Sequence, residues 1–207
     1  MNIGLMGGTF DPIHNGHLMV AEEARTRLGL SEVIFIPAGQ PWLKWLKVNR
    51  TISAAEHRVE MVRLAIADKP YFNLSTVEID RGGPSYTIDT LADLRSKMCD
   101  EDRLILILGW DSMAELTRWL EPARLVSMCY LAVAPRPRFP PPDIRALNRA
   151  IPGLSRRVTL MEGPNLDISS SDIRDRVARG LSIRHLVPQA VDEYIKLHKL
   201  YAVESIK

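Results

Sequence analysis

Apolar residues along this 207-residue chain fall into short unbroken runs, separated by segments in which they recur every three or four positions. The unbroken runs predict strands at 2–6, 32–39, 103–109 and 128–134, and two segments of mixed polarity, 72–80 and 157–162, are also strand-like. The segments of longer period predict helices at 17–30, 53–68, 85–98, 111–120, 144–151, 169–180 and 188–201. Strands and helices that alternate at these lengths are typical of α/β proteins, in which helices cover both faces of a parallel sheet.

The predicted helix at 53–68 has a start signal and an apolar face. Ser53 is followed three residues later by Glu56, which is the spacing of a capping box. The expected buried face carries four apolar residues, Val59, Val62, Leu64 and Ile66.

The amino-acid composition of the chain changes after residue 135. Residues 135–143 contain five prolines in nine positions, which predicts a rigid, extended connector. We therefore expect one domain, 1–207, made of a core at 1–135 and a C-terminal portion at 136–207 that adds a last strand and helices.

Composition narrows the function classes. The chain is 46% apolar and 25% charged, which is ordinary for a globular protein, and its net charge is only +2. No block of like charge is present, so we expect neither a nucleic acid nor a membrane as partner. The pattern of a signal peptide is missing, and Cys99 and Cys129 lack the spacing of metal ligands. Reduced thiols in a cytoplasmic protein are the expectation.

The stretch GGTFDPIHNGH, residues 7–17, carries the first candidate chemistry. Gly7 and Gly8 end the first predicted strand, where open parallel sheets bind ligands, and glycine lets phosphates approach the backbone. His14 and His17 stand where the next helix begins, and a helix start is itself an anion site. Neither G-x-G-x-x-G nor G-x-x-x-x-G-K-[ST] occurs, so histidines and backbone would hold the phosphates. A metal role fits the two histidines by type, but no third ligand with suitable spacing is evident.

The stretch ISSSDIR, residues 168–174, carries a second set of candidate functional residues. Serines at a helix start can cap the helix and turn hydroxyl and N–H groups toward an anion. Arg174 follows one turn later and can donate two hydrogen bonds to phosphate oxygens. The alternative is an ordinary helix cap with Arg174 in solvent.

These two stretches resemble the signatures of the nucleotidyltransferase α/β phosphodiesterase superfamily. Together with RGGPSYTIDTL, LILGWDSMAELTRW and LVPQAVDEYIKLHKLY, they are similar to the bacterial nicotinate-mononucleotide adenylyltransferases over nearly the whole chain. The resemblance implies a Rossmann-like fold and transfer of the adenylyl group of ATP to nicotinate mononucleotide. The products would be nicotinic acid adenine dinucleotide and pyrophosphate, with Mg²⁺ as cofactor, held mainly by phosphates rather than by protein ligands.

The resemblance also implies roles for single residues. Catalytic roles fall to His14, His17, Lys44 and Arg174. ATP would be bound by Gly7, Gly8, Thr9, Phe10, Gly16, Gly109, Asp111, Ile168, Ser170 and Ser171. The mononucleotide would be bound by Tyr86, Thr87, Trp119 and Arg136. Trp119 would stack on the pyridine ring and Thr87 would contact the carboxylate, whereas Asp111 as a plain helix cap and Trp119 as a core residue remain alternatives.

The chain departs from the family pattern at several positions. After the second strand the family often has P-P-H-[KR], but here Trp42 and Leu43 precede Lys44, which keeps the basic position. Trp110 replaces a residue that is often small, and Arg138 stands where glycine is frequent.

Other functions stay open at this point. One is a sibling reaction, such as that of a phosphopantetheine adenylyltransferase or a cytidylyltransferase, and another is a nucleotide sensor without catalysis. The expected partners are small-molecule substrates. The sequence leaves open the preference between acid and amide mononucleotides and whether the chain forms a homo-oligomer.

Overall fold

The computed structural model describes residues 1–40, 52–163 and 166–202. Within them, six parallel strands form one sheet in the order β3-β2-β1-β4-β5-β6. The strands are β1 (Asn2–Gly8), β2 (Glu32–Pro37), β3 (Phe72–Leu74), β4 (Arg103–Gly109), β5 (Tyr130–Ala134) and β6 (Val158–Leu160). The strand order changes direction between β1 and β4, and ligands bind beyond the carboxyl ends of the strands at such a point. The predicted Rossmann-like α/β fold is confirmed.

Helices connect the strands and cover both faces of the sheet. They are α1 (Asn15–Leu28), α2 (Ala55–Ile66), α3 (Val77–Arg81), α4 (Thr87–Arg95), α5 (Trp110–Ala114), α6 (Pro122–Met128), α7 (Ile144–Ala150), α8 (Ser170–Ala178) and α9 (Gln189–Leu197). Short 3-10 turns lie at Leu116–Arg118 and Leu154–Arg156. In the described part of the chain, no helix is both long enough and apolar enough to cross a membrane.

Strand β4 shows why the central strands read as unbroken apolar runs. Ile105 and Ile107 belong to a core shared with α1, α2, α8 and α9. Leu104, Leu106 and Leu108 belong to a second core, shared with α4, α5 and α6. Successive side chains of a strand point to opposite faces, so a strand covered on both faces is apolar at every position.

Two predicted elements were wrong in extent. The predicted strand at 72–80 ends at Leu74, and helix α3 follows because local bonds fold the chain after it. The Thr76 carbonyl accepts from the N–H of Asp80 at 2.9 Å, and the Thr76 hydroxyl bonds to the Asp80 carboxylate at 2.7 Å. The predicted helix at 111–120 is interrupted, since α5 ends at Ala114 and a 3-10 turn follows. This tighter turn buries Leu116 completely.

The start and the buried face of α2 also differ from the prediction. Ser53 does not cap the helix, because Ala54 holds the N-cap position and makes no side-chain cap bond. Val59 and Leu64 are only half-buried. The buried stripe consists of Arg58, Met61, Val62, Ala65 and Ile66, which are spaced as one face of a helix.

The proline-rich segment 135–143 contains a turn, so the expected uniform extended connector was wrong. The N–H of Phe139 donates to the carbonyl of Arg136 at 3.2 Å, and Arg138 has a φ of 69°. Beyond this segment β6 pairs with β5, and helices α8 and α9 pack on the first core. The division of one domain at residue 135 stays a prediction.

Candidate active site

The two histidines of the opening stretch cap helix α1 together. His14 is the N-cap residue, and its Nδ1 accepts from the N–H of His17 at 3.4 Å. The Nδ1 of His17 accepts from the N–H of His14 at 3.2 Å, so the bonds are reciprocal. The rings are stacked, with centroids 3.6 Å apart and planes 19° from parallel. A capping box usually needs a hydroxyl and a carboxyl side chain, and here two imidazoles form it.

This capping fixes the chemistry that the two rings offer. A ring nitrogen that accepts a backbone N–H carries no proton, so each neutral imidazole holds its proton on Nε2. Both histidines therefore present Nε2–H as a hydrogen-bond donor at the start of a helix, where the helix dipole also favours an anion. The arrangement suits the oxygen atoms of a phosphate.

Glycines shape the surface around these rings. A Cβ on Gly16 would lie 3.0 Å from Nδ1 of His14, and a Cβ on Gly8 would lie 3.0 Å from the ring of Phe10. A Cβ on Gly7, at the end of β1, would meet no atom of the described residues within 4 Å. Gly8 and Gly16 thus allow the local packing, whereas Gly7 leaves room for a ligand.

The ISSSDIR segment lies against the histidine loop. Ser169 caps α8 by accepting from the N–H of Asp172 at 3.1 Å. Ser170 donates its hydroxyl to the carbonyl of Pro12 at 2.9 Å. Arg174 donates from Nη1 to the carbonyl of Asp11 at 2.6 Å and from Nη2 to the Ser171 hydroxyl at 3.1 Å. Arg174 is therefore not simply solvated, and the structure brings it to the loop that carries His14 and His17.

Ile168 lies beside Gly16, since a Cβ on that glycine would be 3.6 Å from the Cβ of Ile168. Phe10 points inward, and its ring contacts His17 edge-on at 5.0 Å and Phe35 at 5.9 Å between centroids. Both residues thus contact the histidine loop from the protein side. Thr9, between the end of β1 and Phe10, is also buried.

No sequence motif marks a buried polar cluster that lies beneath the loop. Asp11 is 3% exposed, and its two carboxylate oxygens accept from the Tyr201 hydroxyl at 2.7 Å and the Ser53 N–H at 3.3 Å. Arg58 is 2% exposed and bonds to backbone carbonyls around it. Burial lowers the pKa of Arg58, against the opposing effect of the Asp11 carboxylate. Burial and the same carboxylate raise the pKa of Tyr201.

Gly109, Asp111 and Arg136 meet at the carboxyl ends of β4 and β5. A Cβ on Gly109 would lie 2.5 Å from Oδ1 of Asp111, so glycine is needed for this carboxylate position. Asp111 pairs with Nε of Arg136 at 3.4 Å, and the side chains are 29% and 43% exposed. Gly109 holds the N-cap position of α5 and Asp111 lies inside the helix, so the alternative of a plain helix cap is not supported.

Tyr86 and Thr87 stand at the start of α4, with Tyr86 in the N-cap position. The segment before α4 is linked to the segment that follows β2, because Gln40 and Ser85 exchange hydrogen bonds of 3.0 and 3.1 Å. Trp119 packs half-buried against the second core, which agrees with the core alternative and leaves stacking a proposal. Its buried Nε1 has no hydrogen-bond partner within the described residues.

The departures from the family pattern have different outcomes. Lys44, Trp42 and Leu43 lie outside the described residues. Trp110 packs on the second core as Trp119 does. Arg138 has a φ of 69°, a conformation that favours glycine, and its guanidinium pairs with Asp167 at 2.7 Å.

A resident metal does not fit the site that is described here. Among residues 1–40, 52–163 and 166–202, no group of three or more His, Cys, Asp or Glu side chains is placed to hold an ion. Asp11 is the carboxylate of the histidine loop, and both of its oxygens already accept hydrogen bonds.

Comparison with known proteins defines first a class and then a family. The cytidylyltransferase-like family matches residues 5–176, most of the chain. A probable nicotinate-nucleotide adenylyltransferase of Dehalococcoides mccartyi strain BAV1 is 49% identical over 201 residues, covering 97% of each chain. One from Roseiflexus sp. strain RS-1 is 49% identical over 200 residues, covering 96% of this chain and 97% of its own. This chain belongs to the nicotinate-nucleotide adenylyltransferases.

Solved structures agree on the fold. A Plasmodium falciparum nicotinic acid mononucleotide adenylyltransferase complexed with NaAD is similar with a TM-score of 0.78. The sequence identity is 21%, and 97% of each chain is covered. The same parasite enzyme complexed with APC gives a TM-score of 0.77.

Proposed function

We propose that this chain transfers the adenylyl group of ATP to nicotinate mononucleotide and releases pyrophosphate. One observation carries the proposal: two stacked imidazoles with Nε2–H donors stand at a helix start, beside Arg174, at the carboxyl edge of the sheet. The membership of the chain in the family supports this assignment.

The reaction needs positioning and charge stabilisation rather than a base. A phosphate oxygen of the mononucleotide forms a bond to the α-phosphorus of ATP. The bond from that phosphorus to the oxygen bridging to the β-phosphate breaks, and pyrophosphate leaves with the electron pair. The attacking oxygen is already anionic, so no proton has to be removed. Orientation of two reactants can lower a barrier by about 7–11 kcal/mol.

Residue roles follow from position. His17 donates from Nε2 to an oxygen of the α-phosphate as charge develops there. His14 and Arg174 steady the outer phosphates and the leaving pyrophosphate. We assign Lys44 the same task from its sequence position alone.

The nucleotide sites complete the proposal. The ATP site comprises the main chain around Gly7, Gly8, Thr9, Phe10 and Gly16, with Gly109, Asp111, Ile168, Ser170 and Ser171 around it. The mononucleotide site comprises Tyr86, Thr87, Trp119 and Arg136, with Trp119 stacking on the pyridine ring. Recognition of the acid rather than the amide falls to Thr87 at the start of α4, because an N–H at a helix start favours a carboxylate.

Magnesium enters this scheme with the substrate. Mg²⁺ keeps several waters and is commonly bound through phosphates with few protein ligands. Because the described residues offer no metal cluster, we propose that ATP arrives as its magnesium complex. Both substrates are soluble small molecules, and we place the reaction in the cytoplasm.

The test is a direct assay of the purified chain. Pyrophosphate release and the dinucleotide product are followed with ATP, Mg²⁺ and nicotinate mononucleotide, and in parallel with nicotinamide mononucleotide or phosphopantetheine. We expect turnover with the acid mononucleotide, and less with the other two. Preferred turnover of phosphopantetheine would establish the sibling reaction, and binding of ATP without any product would establish a sensor.

A further inference from the structure

We propose that Arg58, on helix α2, is a positioning residue for His17. The proposal rests on the proposed function only where it predicts turnover. Arg58 lies outside both motifs, and no role was expected for it from the sequence.

The Arg58 guanidinium donates hydrogen bonds to four backbone carbonyls. Nη1 donates to the carbonyl of Thr9 at 3.0 Å and to that of Ala38 at 2.7 Å. Nε donates to the carbonyl of Ser53 at 3.0 Å, and Nη2 to that of Gly39 at 3.4 Å. One side chain thus joins the loop after β1, the loop after β2 and the start of its own helix.

The bond to Thr9 matters because of the residue that follows. Phe10 has a φ of 50°, the left-handed region that a bulky residue rarely adopts. Such a conformation is strained and persists only where neighbouring contacts enforce it. The carbonyl on its N-terminal side is held by Arg58, and the carbonyl of Asp11 on its C-terminal side is held by Arg174.

The Phe10 conformation in turn places the ring beside His17. The two rings meet edge-on, with centroids 5.0 Å apart and planes 80° apart. Gly8 makes room for the ring on the other side, since a Cβ there would lie 3.0 Å from it. A shift at Thr9 would therefore move Phe10 and remove the ring contact that Phe10 makes with His17.

A buried guanidinium is a costly way to gain stability alone. Removing a charge from water carries a large desolvation penalty, and apolar replacements of buried charges are often neutral or stabilising. Asp11, whose carboxylate attracts the guanidinium, offsets part of that cost. Four carbonyls from three segments are what a planar, five-donor group can hold and an apolar side chain cannot.

The experiment compares Arg58→Lys with Arg63→Lys. Arg63 is a matched control on the same helix, where it is 59% exposed and pairs with Glu60. Lysine at 58 keeps the charge but cannot reach all four carbonyls. We expect kcat and kcat/KM for ATP to fall together by at least about tenfold, the pattern of a lost transition-state contact. The control should keep kcat within about twofold, as surface changes do.

A second readout does not depend on activity. Nitrogen-15 spectra of the imidazoles report which ring nitrogen of His17 carries the proton. In the parent we expect the Nε2–H form, and in Arg58→Lys a mixture of the two tautomers. An unchanged His17 signal, or unchanged kcat in folded protein, would overturn the proposal. A parent protein without adenylyl transfer would refute the proposed function, while the His17 signal would still decide this inference.

A second variant covers the case in which Arg58→Lys does not fold. Phe10→Leu leaves Arg58 in place and removes the ring from His17. If Arg58 acts through Phe10, this variant shows the same loss of kcat and the same change in the His17 signal. Parent-like values for both would break the proposed route.

Discussion

Two regions of the site are built in different ways. The phosphate side, defined as residues 7–17 and 169–174, is cross-linked from beneath and from the side. Arg58 and Arg174 hold its carbonyls, Ser170 holds that of Pro12, and the two histidines cap one helix. The chain's own contacts fix its geometry, which is what the proposed electrostatic stabilisation of a transition state requires.

The nucleoside side is defined as residues 84–87, 109–119 and 136, and it combines the proposed mononucleotide residues with Gly109 and Asp111 of the proposed ATP site. It has fewer fixed contacts among the described residues. Asp111 and Arg136 form a half-exposed pair at 3.4 Å. The indole nitrogens of Trp110 and Trp119 are buried with no hydrogen-bond partner among the described residues. Under the proposed function, we expect the first side to govern turnover and the second to govern substrate affinity. Substitutions should therefore separate the two by their effects on kcat and on KM.

Removing the imidazole of His17 is the most severe way to test that contrast. His17→Ala should lower kcat by about 10²–10³, because a preorganised donor to developing charge has that value. The KM for the mononucleotide should change little. Initial rates of pyrophosphate release over a range of both substrates measure this. His198→Ala removes an exposed imidazole at the C-terminal end of α9 and serves as control. A collapse of affinity with turnover kept within about threefold would show that His17 only binds.

Trp119 tests the other side. Trp119→Ala should raise the KM for nicotinate mononucleotide by about tenfold, since stacking of a ring on an aromatic side chain contributes about 1–3 kcal/mol. The KM for ATP is the internal control and should stay within about twofold. Trp119 also packs on the second core, so Trp119→Phe is needed as a variant that retains an aromatic ring there. Unchanged affinity in both variants would leave Trp119 as a core residue and remove the stacking role.

The sheet was predictable from sequence because its central strands are apolar on both faces. Runs such as 103–109 have one physical explanation at that length, and β4 has those bounds. The segment at 72–80 was not predictable in the same way, since Val77 and Ile79 alternate as in a strand. There the local bonds of Thr76 outweighed the alternation and formed α3.

The site was predictable where it is contiguous in sequence and obscure where it is not. His14, His17 and Arg174 stand in motifs, and the structure brings all three to one loop. Arg58 is held by carbonyls that are distant along the chain, so no motif marks it. One signal did exist: Arg58 precedes Met61 and Val62 by three and four residues, on the helix face that is buried.

A substitution at Gly7 tests whether the backbone of the phosphate side contacts the phosphates of ATP. A Cβ there would meet no atom of the described residues within 4 Å, so Gly7→Ala should leave the melting temperature within about 2 °C. If phosphates approach this backbone, the added methyl group raises the KM for ATP by about fivefold. Thermal unfolding and initial rates at varied ATP test both halves of the statement. An unchanged KM for ATP would place the phosphates elsewhere along the loop.

A substitution at Gly16 has the smallest expected effect on kcat, and it separates the stability of α1 from the position of the His14 ring. Alanine inside a helix is about 0.5–1 kcal/mol more favourable than glycine, so Gly16→Ala has a reason to stabilise α1. The new Cβ would lie 3.0 Å from Nδ1 of His14, and the ring has to move by a few tenths of an ångström. We expect an unchanged or slightly higher melting temperature, with kcat lower by about threefold, because geometry near the reacting groups is sensitive to small shifts. Gly163→Ala, where a Cβ meets nothing within 4 Å, controls for the change of residue type. An unchanged kcat in Gly16→Ala would show that turnover does not need the observed position of the His14 ring, and a joint fall of kcat and stability would be explained by crowding of α1.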